Sequence, residues 1–253
     1  MVRSLRARLL PHGWLDVLRQ LALFAGAYLL YRLVRGGVDA RAAVAFKHAR
    51  ELIGVERGLH FFVEPSIQAW ASGSHLLMGV ASWRYVNAQS SPLIGALLYL
   101  YFFHNRSFYF VRNMVIIGMA IALVGYVLFP TAPPRFMPEW GFFDSVARFT
   151  GVPQNSVPVN ALFNPYAAIP SMHVAFALML GWPLARLVRW RALKLFWALY
   201  PLIITFAVVA TANHFVADAL LGALTAGCSA WAAARLARAR AVWRFAPASA
   251  RLT

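Results

Sequence analysis

Met114-Val-Ile-Ile-Gly-Met-Ala-Ile-Ala-Leu-Val-Gly-Tyr-Val-Leu-Phe129 carries no charge and no period-two alternation of apolar and polar residues. A transmembrane β-strand needs about ten residues of such alternation, whereas a helix crossing a hydrocarbon core needs about twenty apolar residues. This stretch, extended back to residue 109, therefore reads as a membrane helix. Similar stretches recur at about 15 to 34, 66 to 84, 91 to 104, 172 to 188, 193 to 211 and 215 to 235. The fold class that follows is all-α: a polytopic transmembrane helical bundle of six to seven membrane helices.

Composition supports that reading. Hydrophobic residues make up 61% of the 253-residue chain and charged residues 13%, and the mean hydropathy is +0.61. The net charge of +16 would suggest nucleic acid in a soluble protein. Here the basic residues, Arg186, Arg189, Arg191 and Lys194 among them, sit at helix ends where they meet anionic headgroups, so no nucleic-acid partner is expected. Cys228 is the single cysteine, which excludes an internal disulfide and a cysteine-based metal cluster.

Organisation along the chain reads as three parts. Residues 1-64 hold a first helix and then an amphipathic interfacial segment, 36 to 64, in which Lys47, Arg50, Glu51, Glu56 and Arg57 alternate with Val44, Phe46, Leu52 and Ile53. The first apolar run leads into Arg35-Gly-Gly rather than a small-residue cleavage site, so it reads as a retained helix. Residues 65-240 read as one membrane domain holding the remaining apolar stretches, expected to be the catalytic one on the motifs below, and 241-253 as a basic tail, expected to be cytoplasmic. The connection from Pro130 to Ile169 contains seven prolines and reads as an ordered loop.

The basic turns at 104 to 112 and 186 to 194 and the tail arginines Arg235, Arg238, Arg240 and Arg244 alternate so as to share one side, the cytoplasm. The 130 to 169 loop and the Thr211 to His214 turn then face outward, which puts the active site at the extracytoplasmic face of a multi-pass protein, expected in the plasma membrane. The N-terminal Arg3, Arg6 and Arg8 break this alternation, so one early segment is expected not to span.

Three short sequences on that face carry the chemistry: Pro130-Thr-Ala-Pro-Pro-Arg135, Pro170-Ser-Met-His173 and Asn213-His-Phe-Val-Ala-Asp218. His214 and Asp218 stand four apart, on one face of a helix, where the carboxylate orients the imidazole and leaves its other nitrogen nucleophilic. The pair can equally be a structural tie. Pro170-Ser171 is a helix start in which Ser171 can cap and the first amides can meet an anion, with His173 placed to protonate a leaving oxygen or simply to face water. Arg135 can clamp a phosphate or contact lipid headgroups. No carboxylate cluster suited to magnesium accompanies these residues. Zinc on His173, His214 and Asp218 is the metal alternative, and a non-enzymatic lipid transporter or scramblase the alternative of another class.

These motifs, with Asn164-Pro-Tyr-Ala-Ala-Ile-Pro-Ser-Met-His173 and Thr211-Ala-Asn-His-Phe-Val-Ala-Asp218-Ala-Leu-Leu-Gly222, resemble the type 2 phosphatidic acid phosphatase superfamily, and within it the branch related to inositol phosphorylceramide synthases. The resemblance runs from about Glu51 to Gly222. It implies that His214 attacks phosphorus to form a phosphohistidine, Asp218 orients it and His173 protonates the leaving group, with no cofactor. It also implies a lipid phosphate or phospholipid substrate and water or an alcohol as acceptor. The hydrolytic members usually carry Lys-x6-Arg-Pro, Pro-Ser-Gly-His and Ser-Arg-x5-His. In this chain Met172 replaces that glycine and Val208 stands where the last arginine would be, so Arg135 and Ser171 are the expected phosphate-binding residues and a transferase is favoured over a phosphatase. Oligomeric state is not legible.

Overall fold

The computed structural model describes residues 12–36, 42–87, 90–151 and 166–246. Arg3, Arg6 and Arg8, the loop residues Gln154, Asn155 and Asn160 and the tail beyond residue 246 lie outside them. The helices are α1 (Gly13–Gly36), α2 (Ala42–Gly58), α3 (Glu64–Ser72), α4 (His75–Asn87), α5 (Ser90–Phe103), α6 (Asn105–Leu128), α7 (Ser145–Thr150), α8 (Met172–Leu187), α9 (Arg191–Ala210) and α10 (Val216–Ala239). Among the described residues there is no strand, only an isolated bridge between Thr131 and Ala167.

Among the described residues three helices are long and apolar enough to cross a membrane: α6, α9 and α10. At 1.5 Å per residue the 24 residues of α6 and α10 reach about 36 Å and the 20 of α9 about 30 Å, which matches a hydrocarbon core. Two shorter apolar helices, Ser91–Phe103 and Met172–Leu187, accompany them. Leu195, Leu199 and Leu202 of α9 and Leu220 and Leu224 of α10 are exposed, an arrangement stable against lipid tails and costly against water.

The expected helix at 66 to 84 is in fact two, broken at Gly73-Ser74. Ser74 stands at the break, its Oγ accepting from the Leu77 amide of the second helix, and in the first helix Gln68 is buried with its Nε2 donating to the Phe143 carbonyl at 2.8 Å. The loop after Pro130 is likewise not plain coil, since it contains short helical turns at Pro134–Phe136 and Pro138–Trp140 and the six-residue α7.

The centre of the bundle is α6, α8, α9 and α10, with α1 and α5 packed on α6 and with α3 and α4 on α9. The chain enters and leaves this core so that the end of α6, the start of α8, the end of α9 and the start of α10 meet. The arginine-rich ends, including Arg186, Arg191, Arg235 and Arg238, are gathered at the other end. Over the meeting point lies α2, whose inward stripe of Ala45, Ala49 and Ile53 packs on Ala132, Met137, Phe142, Ala212 and Phe215. The amphipathic segment therefore buries its apolar face against the loops of the candidate site.

Candidate active site

The turn between α9 and α10 places the first residues. Asn213 and His214 both donate their amides to the Val208 carbonyl, at 3.0 and 3.2 Å, and Ala212 between them and the helix takes a left-handed φ of 52°. An alanine there is strained by its Cβ, so the tight turn is held by its bonds rather than by its own preference. His214 consequently lies before α10, not on it. The expected contact with Asp218 nevertheless forms, through cap geometry: Asp218 Oδ2 accepts from the Phe215 amide at 3.0 Å and from His214 Nδ1 at 3.1 Å. One carboxylate oxygen thus closes the helix start and fixes the imidazole, leaving Nε2 as the nitrogen facing away from the acid. His214 is 6% exposed and Asp218 is fully buried, so the bond forms away from bulk water, where it is strong.

Ser171 and His173 are brought to the same place by close backbone packing. The Ser171 amide donates to the Asp218 backbone carbonyl at 3.0 Å. A Cβ added at Gly222 would stand 2.4 Å from the Ser171 carbonyl oxygen, and one added at Gly125 would stand 2.7 Å from Pro170 Cδ. Glycines of α10 and α6 thus bracket the Pro170-Ser171 corner. The expected serine cap does not form, although Ser171 holds the N-cap position of α8. Its Cβ packs towards Gly222, and its buried Oγ has no hydrogen-bond partner among the described residues. Two residues on, the His173 ring meets the His214 ring edge to face with centroids 5.5 Å apart, and Tyr85 of α4 stacks on it at 4.8 Å.

Arg135 joins from the proline-rich loop. Its amide donates to the Ala212 carbonyl at 2.8 Å, its Nη1 donates to Asn213 Oδ1, and its Nε lies 3.8 Å from Asp144 Oδ2. Asn213 is itself fixed, donating from Nδ2 to the Thr211 carbonyl and hydroxyl. The loop is anchored upstream by the Ala132 amide on the Ala45 carbonyl and by His48 Nδ1 on the Pro130 carbonyl. His214, Asp218, His173 and Ser171 are thus in direct register, and Arg135 is tied to them through the 212–213 backbone and side chain. Of the loop's other polar residues, Asp144 caps α7 through Ala147, Arg148 covers Phe143, and Glu139 is exposed. Among the described residues no three His, Cys, Asp or Glu side chains are arranged to hold a metal ion.

Two acids that the sequence reading did not single out complete the first turn of α10. Glu64 Oε1 accepts from the Val216 amide at 2.7 Å and Glu56 Oε1 from the Ala217 amide at 2.8 Å. Both are fully buried. The signal was present: Glu56 falls on the apolar stripe Ala45, Ala49, Ile53, where an acid is out of place unless it has a partner. Arg112 is bound to Gln20 and Asn113 in the first turns of α6, at the far end of that helix from Pro130.

Residues 50–232, nearly three quarters of the chain, match the family model described as PAP2 superfamily. The chain belongs to the PAP2 superfamily. No curated protein and no solved structure matches it. PAP2 proteins are generally phosphatases or phosphotransferases acting on lipid phosphates, and with its apolar helices the chain is an integral membrane protein of that superfamily. The two positions that depart from the hydrolytic PAP2 motifs are filled by apolar packing. Met172 belongs to the core cluster with Ala175, Phe176 and Met179, and Val208 to a cluster with Val174, Tyr200 and Ile204. Neither position contributes a charge, and Arg135 is the guanidinium tied to Asn213, the residue before His214.

Proposed function

We propose that the protein transfers a phosphoryl group from a lipid phosphate or phospholipid through a phosphohistidine at His214, with a hydroxyl compound as the favoured acceptor, as in the branch that includes inositol phosphorylceramide synthases. The observation that carries the reading is the buried His214–Asp218 bond with the His173 ring at its edge. In the first step the lone pair of His214 Nε2 forms the N–P bond while the P–O bond to the lipid breaks, and the departing oxygen takes the proton of His173. In the second step the acceptor hydroxyl attacks phosphorus, gives its proton to His173, and the P–N bond breaks. Asp218 stabilises the positive charge that develops on His214. Arg135, with the first-turn amides and Ser171 Oγ of the α8 start, binds the non-bridging oxygens. No cofactor enters these steps.

The gathering of arginines at the end remote from His214 supports an outward-facing site in a plasma-membrane protein, with the shorter apolar helices completing a bundle of six to seven membrane helices. Purified protein incubated in EDTA with phospholipids and prenyl phosphates, with and without added alcohols, tests the function. With a phospholipid donor and a long-chain alcohol, the expected product is a diester joining the headgroup phosphate to that alcohol, with the donor's own lipid released, and it is lost in His214→Ala. Free phosphate from a prenyl phosphate, or headgroup phosphate from a phospholipid, without any diester would make water the acceptor, and lipid movement retained in His214→Ala without phosphoryl chemistry would refute the enzyme.

A further inference from the structure

The first three residues of the α10 start use three different carboxylates: Asp218 for the Phe215 amide, Glu64 for Val216 and Glu56 for Ala217. A helix N-terminus favours negative charge, but by roughly half a unit charge, not three. Glu56 and Glu64 come from α2 and α3, are fully buried, and each leaves Oε2 without a donor from any other residue. Because they accept from the neighbouring amides of Val216 and Ala217, the two buried carboxyls lie side by side. A buried carboxylate oxygen without a donor is costly, and a pair of ionised carboxylates in contact is more so. One proton placed between the two Oε2 atoms removes both costs: the acid donates, the carboxylate accepts, and each Oε1 keeps its amide.

We propose that Glu56 and Glu64 form an acid–carboxylate clasp sharing one proton, which pins α2 and α3 to the first turn of α10 and so positions Asp218 and His214. The clasp rests on the phosphoryl-transfer reading for its consequence in catalysis. Its function there is to fix the amides of 215–217 and to limit the negative charge buried next to Asp218. The charges facing Glu56 are Glu64 of α3 and Asp218 of α10; in the adjoining loop Arg135 and Asp144 pair with each other, and on α2 itself Arg57 lies over Trp140. Burial, reinforced by the neighbouring Glu64 and Asp218, pushes the Glu56 carboxyl up to about 9.

The sign of the pH effect follows. Between the ordinary carboxyl range and about 9 the folded protein holds a proton that the unfolded chain has released, so stability falls as pH rises through that window. Intrinsic-fluorescence melting of the full chain in detergent, from pH 5 to pH 9, measures it. The wild-type melting temperature is expected to fall by more than about 3 °C further than that of Glu56→Gln, whose amide replaces the protonated carboxyl without titrating. Parallel curves for the two proteins would overturn the clasp. Turnover at pH 7 gives the second readout: Glu56→Ala loses at least about tenfold in kcat with KM little changed, and Glu56→Gln recovers most of that loss. Equal turnover in Glu56→Ala and wild type would overturn the positioning role. Melting is independent of the chemistry, so failure of the clasp and failure of the phosphohistidine reading, which His214→Ala tests, remain separate results.

Discussion

Substituting Gly222 by alanine puts the most demand on the account, because one methyl group reports on the spacing of both histidines. The added Cβ would stand 2.4 Å from the Ser171 carbonyl oxygen and 3.3 Å from its carbonyl carbon, both backbone atoms that cannot rotate aside. Ordinary C···O contacts begin near about 3.3 Å, so the Pro170-Ser171 corner must retreat from α10 by roughly 0.9 Å. That movement stretches the 3.0 Å bond from the Ser171 amide to the Asp218 carbonyl and carries His173, two residues on, away from His214. Overpacking of this kind costs about 1 to 3 kcal/mol of stability, and a misplacement of about 1 Å between reacting groups costs on the order of 100-fold in rate. Gly227, on the same helix, has open space where its Cβ would go, so Gly227→Ala is the control for the general effect of alanine in α10. Turnover and thermal melting of the two variants are measured side by side. Gly222→Ala should lose on the order of 100-fold in kcat while still melting cooperatively, and Gly227→Ala should match wild type. A Gly222→Ala enzyme within about twofold of wild type would refute the claim that this contact sets the histidine spacing.

Two further substitutions separate roles within the site. Asp218→Asn keeps an oxygen for the Phe215 amide but removes the negative charge that stabilises the His214 cation, and steady-state kinetics should show kcat lower by on the order of 1000-fold with the fold retained; a loss under about tenfold would argue that the acid is a structural tie. Arg135→Lys cannot hold Asn213, reach Asp144 and bind phosphate oxygens with one ammonium, so kcat/KM should fall at least about tenfold, and unchanged kinetics would remove Arg135 from the phosphate site.

The parts of the fold read well from sequence were those set by one-dimensional patterns. Continuous apolar runs gave α6, α9 and α10 nearly to their ends, and the spacing of Ser171, His173, His214 and Asp218 around loop prolines gave the residues that meet. What failed depended on the partner. The helix expected at 66 to 84 breaks at Gly73-Ser74, where Ser74 Oγ accepts from the Leu77 amide and starts a second helix, while Gln68 of the first is turned to Phe143, seventy-five residues away. Ser171, a good cap by type, does not cap because Gly222 lets α10 come close enough to hold it by its backbone. His214 and Asp218 meet as expected, but across a helix start rather than along a helix, since the i to i+4 spacing serves both geometries. Glu56 and Glu64 were read as part of an interfacial segment because local pattern shows amphipathicity but not what the buried face covers.

The central claim is that His214 carries the phosphoryl group. Brief mixing of the purified protein with a lipid substrate labelled at the transferred phosphorus, followed by denaturation and mass analysis of the His214 peptide, tests it directly. The account predicts label on His214 that is stable to base and lost in acid, present in the wild type, absent in His214→Ala, and discharged by an alcohol acceptor. Turnover without label on His214, or label retained in His214→Ala, would contradict it.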